Sequence, residues 1–389
     1  MRVLVIGGSG VVGRGVVKGI ANAKEVSKVV LTANNRIAKA KKIADEIGAK
    51  AEVVQLNVED RSNMLKLMKG VDLVLNMTGP ASKYAVPVLK TALEARKNYV
   101  DVNDDAESLP GLFALDDAAK KAGLTMLVCT GASPGQSNLL ARHGADKLDY
   151  VDEINITWAC GINIALDTPA NWGHRLNMYA QRVPMFEDGK VVDVEGGSGA
   201  QEISWPSPVG RLVHRYCGHS EPITIPRYIK KGLKRVSCRG AVTPGDINEL
   251  FIYLGSLGLA SPKAFKVGDN EISPFEFMSH YISSSIFQKT DFCKRLLELE
   301  KSIGPNFELN VEVSGKRNEK PTKVVCTQIG PDRNSATYIP TWVMAHMVIS
   351  GEINKKGVFS PEALGLDPSP IINEIEKEGG TYKEEIIQI

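Results

Sequence analysis

The sequence predicts an α/β fold: a doubly wound parallel sheet, followed by an α+β domain. Three observations carry this reading. The first 150 residues alternate short apolar runs with helical patterns, a glycine-rich loop joins the first run to the first helical pattern, and the alternation stops near Asp152. Strands alternating with helices of this length form right-handed βαβ units on a parallel sheet. The 389 residues therefore divide into a domain over 1–150 and a second over 151–329.

Taken in order, Val3–Ile6 is a continuous apolar run, as a strand covered on both faces requires. The glycine loop and a helix from Val11 to Ala21 come next. Val29–Leu31 reads as the second strand, and Ile37–Ile47 as a Lys/Ala-rich helix ended by Gly48. Ala51–Leu56, Val71–Leu75, Tyr99–Val102 and Leu124–Cys129 bring the strands to six. Beyond Asp152, Glu153–Trp158 and Glu221–Pro226 alternate in polarity and read as antiparallel strands. Helical patterns occur at Ile247–Leu257, Pro274–Ser284, Asp291–Ser302 and Ile339–Ile349.

Composition excludes several functions. With 47 basic and 45 acidic residues the formal net charge is +2, which argues against a nucleic-acid or membrane partner. A hydrophobic fraction of 43% is ordinary for a globular chain. No apolar run is long enough to span a bilayer, and the best candidate, Ala336–Gly351, contains Pro340 and His346. After Arg2 only Val3–Ile6 is apolar before Gly7, so no signal peptide is expected. The 6 cysteines (129, 160, 217, 238, 293 and 326) are scattered without a CxxC pair. A reduced, cytoplasmic protein is the expectation.

Gly8, Ser9, Gly10, Val11, Val12 and Gly13 spell GxGxxG between a strand and a helix, the arrangement of a Rossmann-type dinucleotide site. Gly8 permits the tight turn, Gly10 lets a pyrophosphate approach, and Gly13 lets helix and strand pack closely. The N–H groups around Ser9, Val11 and Val12 then face the phosphates. At the end of the second strand, where an NAD site wants a carboxylate, stand Ala33, Asn34, Asn35 and Arg36. Arg36 offers a charge-assisted bond to a 2′-phosphate, favouring NADP over NAD. The alternative is that Asn34 and Asn35 only form a turn and Arg36 is solvated. Val58, Thr78 and Gly79, at later strand ends, complete the expected cofactor contacts.

With the loop placed, other segments acquire meaning. Asn76–Pro80 ends the fourth strand, Tyr99–Asp104 the fifth, and Gly131–Leu140 comes after the sixth. With Gly218–Pro226, Gly357–Glu362 and Leu366–Pro368, these resemble the saccharopine dehydrogenase family over nearly the whole chain. Asp188–Lys190 with Glu202–Ser204 looks closest to its lysine 6-dehydrogenase branch. The resemblance implies a Rossmann domain interrupted by a substrate and dimerisation domain, with residues 330–389 returning to the first domain. It implies a homodimer and hydride transfer at a carbon bearing an amine of an amino acid or diamine. The alternatives are reductive condensation of an amine with a carbonyl compound, as in saccharopine or carboxynorspermidine formation, and a non-catalytic NADP-binding redox sensor.

In a doubly wound sheet the ligand lies beyond the strand C-termini. Thr78–Pro80, Asp101–Asp104 and Gly131–Pro134 should therefore face a nicotinamide. Asp101 and Asp104 are candidates to pair with a substrate ammonium or take its proton, the alternative being helix capping for both. Lys83 is a candidate substrate-carboxylate ligand or general base, or else an ordinary exposed lysine. His219 either shapes the substrate pocket or fixes a strand; His174 and His214 are weaker candidates. Cys129 and Cys160 read as packing. No HxxxH and no acidic cluster has ligand spacing, so no metal site is expected.

Overall fold

The computed structural model describes residues 1–165 and 168–389. It divides into two compact units, Met1–His143 with Asn334–Glu378, and Gly144–Arg333 with Gly379–Ile389. In chain order the strands are β1 Arg2–Ile6, β2 Lys28–Ala33, β3 Ala51–Gln55, β4 Leu73–Asn76, β5 Asn98–Asp101, β6 Thr125–Leu127, β7 Tyr150–Gly161, β8 Arg182–Glu187 and β9 Lys190–Glu195. After these come β10 Gln201–Ser204, β11 Arg211–Tyr216, β12 Arg235–Thr243, β13 Phe265–Val267, β14 Asn270–Ile272, β15 Phe307–Arg317, β16 Lys320–Gly330, β17 Gly357–Phe359 and β18 Thr381–Gln388.

The first unit is a doubly wound α/β fold. Its parallel sheet, of seven strands among the described residues, has the order β17-β6-β5-β4-β1-β2-β3. Val3, Leu4, Val5 and Ile6 are all at most 1% exposed, which explains why β1 is apolar at every position rather than alternating. Strand order reverses beside β1, whose neighbours are β2 and β4. At such a switch point the flanking helices leave to opposite faces, and a crevice opens beyond the strand C-termini. The loops after β1 and β4 meet there, joined by the Met77 N–H donating to the Ile6 carbonyl at 2.8 Å.

The helix Arg333–Ser350 brings the chain back to this unit. Tyr338 and Trp342 lie where side chains at Gly15 and Gly19 would stand, so small residues on the helix Val11–Ala21 accept two aromatic rings. Among the described residues no helix is long and apolar enough to cross a membrane. The returning segment also supplies β17, a seventh strand beyond the expected six. The return ends at Glu378: residues 381–388 form β18 and pair antiparallel with β16 in the second unit.

The second unit is built on a mixed sheet ordered β10-β11-β12-β7-β15-β16-β18, with β8 and β9 branching from β12. β12 runs parallel to β7, and β15 antiparallel to it. β15 and β16 form a hairpin closed by Asn318 and Glu319, both at positive φ (51° and 61°), as a two-residue turn matched to strand twist requires. One expectation fails here. Glu221–Pro226 is not a strand but the start of a helix, Glu221–Tyr228. Pro222 occupies the first turn, where its missing N–H costs nothing, and Glu221 stands at the positive end of the helix dipole. The buried Glu221, Thr224 and Ile225 match i, i+3, i+4 spacing, so the apparent period of two was accidental.

Candidate functional site

The phosphate loop leaves β1 through Gly7, whose φ of +77° is open to glycine and strained for other residues. Gly7, not Gly8, therefore makes the tight turn, and sequence reasoning had passed over it. Gly8 instead packs against Leu31 and Val17. A Cβ on Gly13 would fall 2.3 Å from the Gly7 carbonyl oxygen, so helix and loop touch without a side chain between them. Gly10 caps the helix Val11–Ala21, with Val11 and Val12 in a first turn that carries no acidic residue. Ser9 is nearly buried at 8% exposure. Backbone N–H groups, the positive end of a dipole and no opposing carboxylate form a cradle that fits a diphosphate.

At the end of β2, Thr32 accepts the Gly7 N–H at 3.3 Å, tying the loop to the neighbouring strand. Asn34, Asn35 and Arg36 are exposed beyond it, and the helix Ile37–Ile47 has no acid in its first turn. Val58 and Thr78 are half-buried and Gly79 is exposed at the same carboxyl edge of the sheet. The cofactor residues read from sequence are thus gathered on one edge of the first unit.

The strand-end acids separate into different roles. Asp101 is only 1% exposed. Its Oδ1 accepts the backbone N–H groups of Asn103 (3.0 Å) and Cys129 (2.9 Å), and its Oδ2 accepts the Tyr99 hydroxyl (2.9 Å). Asn76 donates to that hydroxyl at 3.0 Å, and Thr78 donates to Asn76. One carboxylate thus knits the ends of β4, β5 and β6. Burial pushes its pKa up to about 6, against the pull of the Asn103, Cys129 and Tyr99 donors, with the charge of Asp104 adding to the rise. The Asp101 oxygens thus serve three protein donors in the interior.

Asp104 is half-buried. Asp105 accepts the Ser82 N–H at 2.6 Å and so caps the helix Ala81–Glu94, whose own N-cap residue is Pro80. Lys83, in the first turn of that helix, is exposed and pairs with Glu59. Hydrogen bonding to Glu59 and Tyr84 holds its pKa above the usual lysine range. Asn138 is fully buried and accepts the Gly135 N–H at 2.8 Å, fixing the Gly131–Leu140 segment.

His219 belongs to the second unit and is 5% exposed. Its ring stacks on Trp158 with centroids 5.1 Å apart, and Nδ1 lies 3.6 Å from Glu221 Oε2. His214, also buried, bonds the Leu212 carbonyl and accepts the Trp205 indole N–H. Cys129 and Cys160 are buried and outside any disulfide, in keeping with a packing role.

Residues 3–127 match the family profile described as Saccharopine dehydrogenase NADP binding domain, and residues 131–381 match Saccharopine dehydrogenase C-terminal domain. A carboxynorspermidine synthase of Vibrio cholerae serotype O1 is 28% identical over 407 residues, spanning 95% of this chain and 93% of that protein. Apo histidine-tagged saccharopine dehydrogenase (L-Glu forming) from Saccharomyces cerevisiae superposes with a TM-score of 0.70 at 17% identity, over 99% of each chain. At that identity the superposition speaks for the fold.

Proposed function

The chain belongs to the saccharopine dehydrogenase family, and from that premise we propose that it is an NADP(H)-dependent oxidoreductase acting at a carbon–nitrogen bond of an amino acid or diamine. The observation that carries the proposal is the carboxyl edge of the first sheet, where an acid-free helix N-terminus follows β1, Arg36 follows β2 and Asp104 follows β5.

Bound there, NADP(H) supplies the hydride; this chain supplies grip and position. The first turn of the helix Val11–Ala21 holds the diphosphate, and Arg36 pairs with the 2′-phosphate. Asp104 receives the substrate nitrogen, pairing with it as an ammonium or accepting its proton. Lys83 attracts a substrate carboxylate. Asp101 acts one step back, fixing the strand ends that carry Thr78 and Asp104. The second unit makes the homodimer contact; Ile386, Ile387 and Ile389 on its outer strand and terminus are 45%, 43% and 66% exposed.

Two reactions belong to this class. Deamination of the lysine 6-dehydrogenase type is the one the sequence segments favour. The likeness to a carboxynorspermidine synthase over 95% of the chain supports the other, reductive condensation of an amine with a carbonyl compound, and we take it as the working reading. A matrix of amines and carbonyl compounds, monitored by NADPH absorbance, tests it. NADPH should be consumed only where both partners are present. Production of NADPH from a single amino acid would replace condensation by deamination. Tight NADPH binding with no turnover anywhere in the matrix would leave a cofactor-binding sensor instead.

A further inference from the structure

Three side chains with metal-ligating chemistry meet in the interior of the second unit, which carries no residue assigned above to the cofactor, and a fourth, Cys217, stands beside one of them. One imidazole nitrogen of His219, one carboxylate oxygen of Glu221 and the Cys238 sulfur all lie within 4.8 Å of one another. Cys217 lies just after β11, opposite Cys238 on β12, and the two sulfurs are 4.0 Å apart. Cys217, Cys238 and Glu221 are fully buried and His219 is 5% exposed.

We propose that these residues form a structural site for a thiophilic divalent cation of the zinc class, with Cys238, His219 and Glu221 as ligands and Cys217 as the fourth. Two thiolates on one tetrahedral zinc, each at about 2.3 Å, stand roughly 3.8 Å apart, close to the separation found here. Sulfur and imidazole donors select zinc-class ions over magnesium or calcium, which want oxygen. The ring orientation is fixed in advance by its stack on Trp158. Glu221 is fixed by its place in the first turn of the helix Glu221–Tyr228.

Burial of a carboxylate is costly unless its charge is offset, and a dication offsets two of the three negative charges that Glu221 and the two thiolates bring. Cysteine ligates as the thiolate, so coordination releases the protons of Cys238 and Cys217 to solvent. The cation would staple the end of β11, the segment carrying His219 and the helix after it to the middle of β12. The donors come from 217–221 and 238, and the spacing H-x-E is too short for the patterns that sequence reading scanned.

The test is cobalt substitution of the full chain, because the site's burial calls for loading during refolding. Wild-type protein refolded under reducing conditions with Co2+ should retain one ion per chain after desalting and show a thiolate-to-cobalt charge-transfer band. Cys238→Ser should abolish that band, and Cys217→Ser should weaken it. Should either variant fail to fold, the wild-type spectrum and a rise in melting temperature with Zn2+ decide the matter alone. Correctly refolded wild-type protein that retains no Co2+ or Zn2+, or a cobalt spectrum without sulfur charge transfer, would overturn the proposal.

Discussion

Replacing Asp101 by Asn separates a positioning carboxylate from a catalytic one. The folded pKa is about 6, about two units above an unfolded aspartate, and each unit is worth roughly 1.4 kcal/mol, or about 3 kcal/mol in total. Because the folded pKa is raised, the protonated form is the one the fold favours. Its contribution is fully present below about pH 4 and lost as pH rises through about 6. Asparagine does not titrate, and its amide reproduces the protonated acid: the oxygen accepts Asn103 and Cys129, and the NH2 faces Tyr99. Urea unfolding of both proteins from pH 4 to pH 7 should therefore show the variant gaining about 3 kcal/mol on wild type across that range. Parallel profiles would refute the reasoning. Turnover of Asp101→Asn should stay within about tenfold of wild type, while Asp104→Asn should lower kcat/KM by roughly 10²–10⁴-fold. A reversal of those two effects would return the catalytic role to Asp101.

Arg36→Ala should weaken NADP(H) by about 10- to 100-fold, roughly 1.5–3 kcal/mol, and leave NAD(H) nearly unchanged in a fluorescence titration; equal losses would remove Arg36 from the 2′-phosphate site. Gly13→Ala places a carbon 2.3 Å from the Gly7 carbonyl oxygen, a backbone atom that cannot swing away. That strain should cost about 1–3 kcal/mol in a thermal melt and at least tenfold in NADPH affinity, and an unaltered affinity would contradict the cradle geometry. Lys83→Met removes an exposed cation held by Glu59, so it should raise KM for the carboxylate-bearing substrate and spare kcat. A fall in kcat alone would contradict that assignment.

The first unit was legible because its signals are local. Val3–Ile6 declares a strand covered on both faces, and the glycine loop declares the helix Val11–Ala21 behind it. The limits of Ile37–Ile47 are set by a glycine at φ +82° immediately after it. What was misread depends on contacts distant in sequence. The alternation in Glu221–Pro226 is compatible with a strand until burial shows that Glu221, Thr224 and Ile225 share one face. β17 and β18 are called into being by partners more than 50 residues away, β6 and β16, which no periodicity reveals. Asp101 ends its strand where a catalytic acid belongs, and only the hydrogen bonds of Tyr99, Asn103 and Cys129 show that it faces inward. The cluster of His219, Glu221 and Cys238 was hidden for the same reason: its sulfur comes from another strand.

The central claim is hydride transfer between NADP(H) and the carbon of a carbon–nitrogen bond. It is tested most directly by supplying NADPH deuterated at the transferring position of the nicotinamide, with an amine and a carbonyl partner that together consume it. Mass spectrometry of the purified product should locate a single deuterium on the carbon attached to nitrogen, and none when either partner is omitted. A product without deuterium there, or cofactor oxidation with no new carbon–nitrogen bond, would contradict the account.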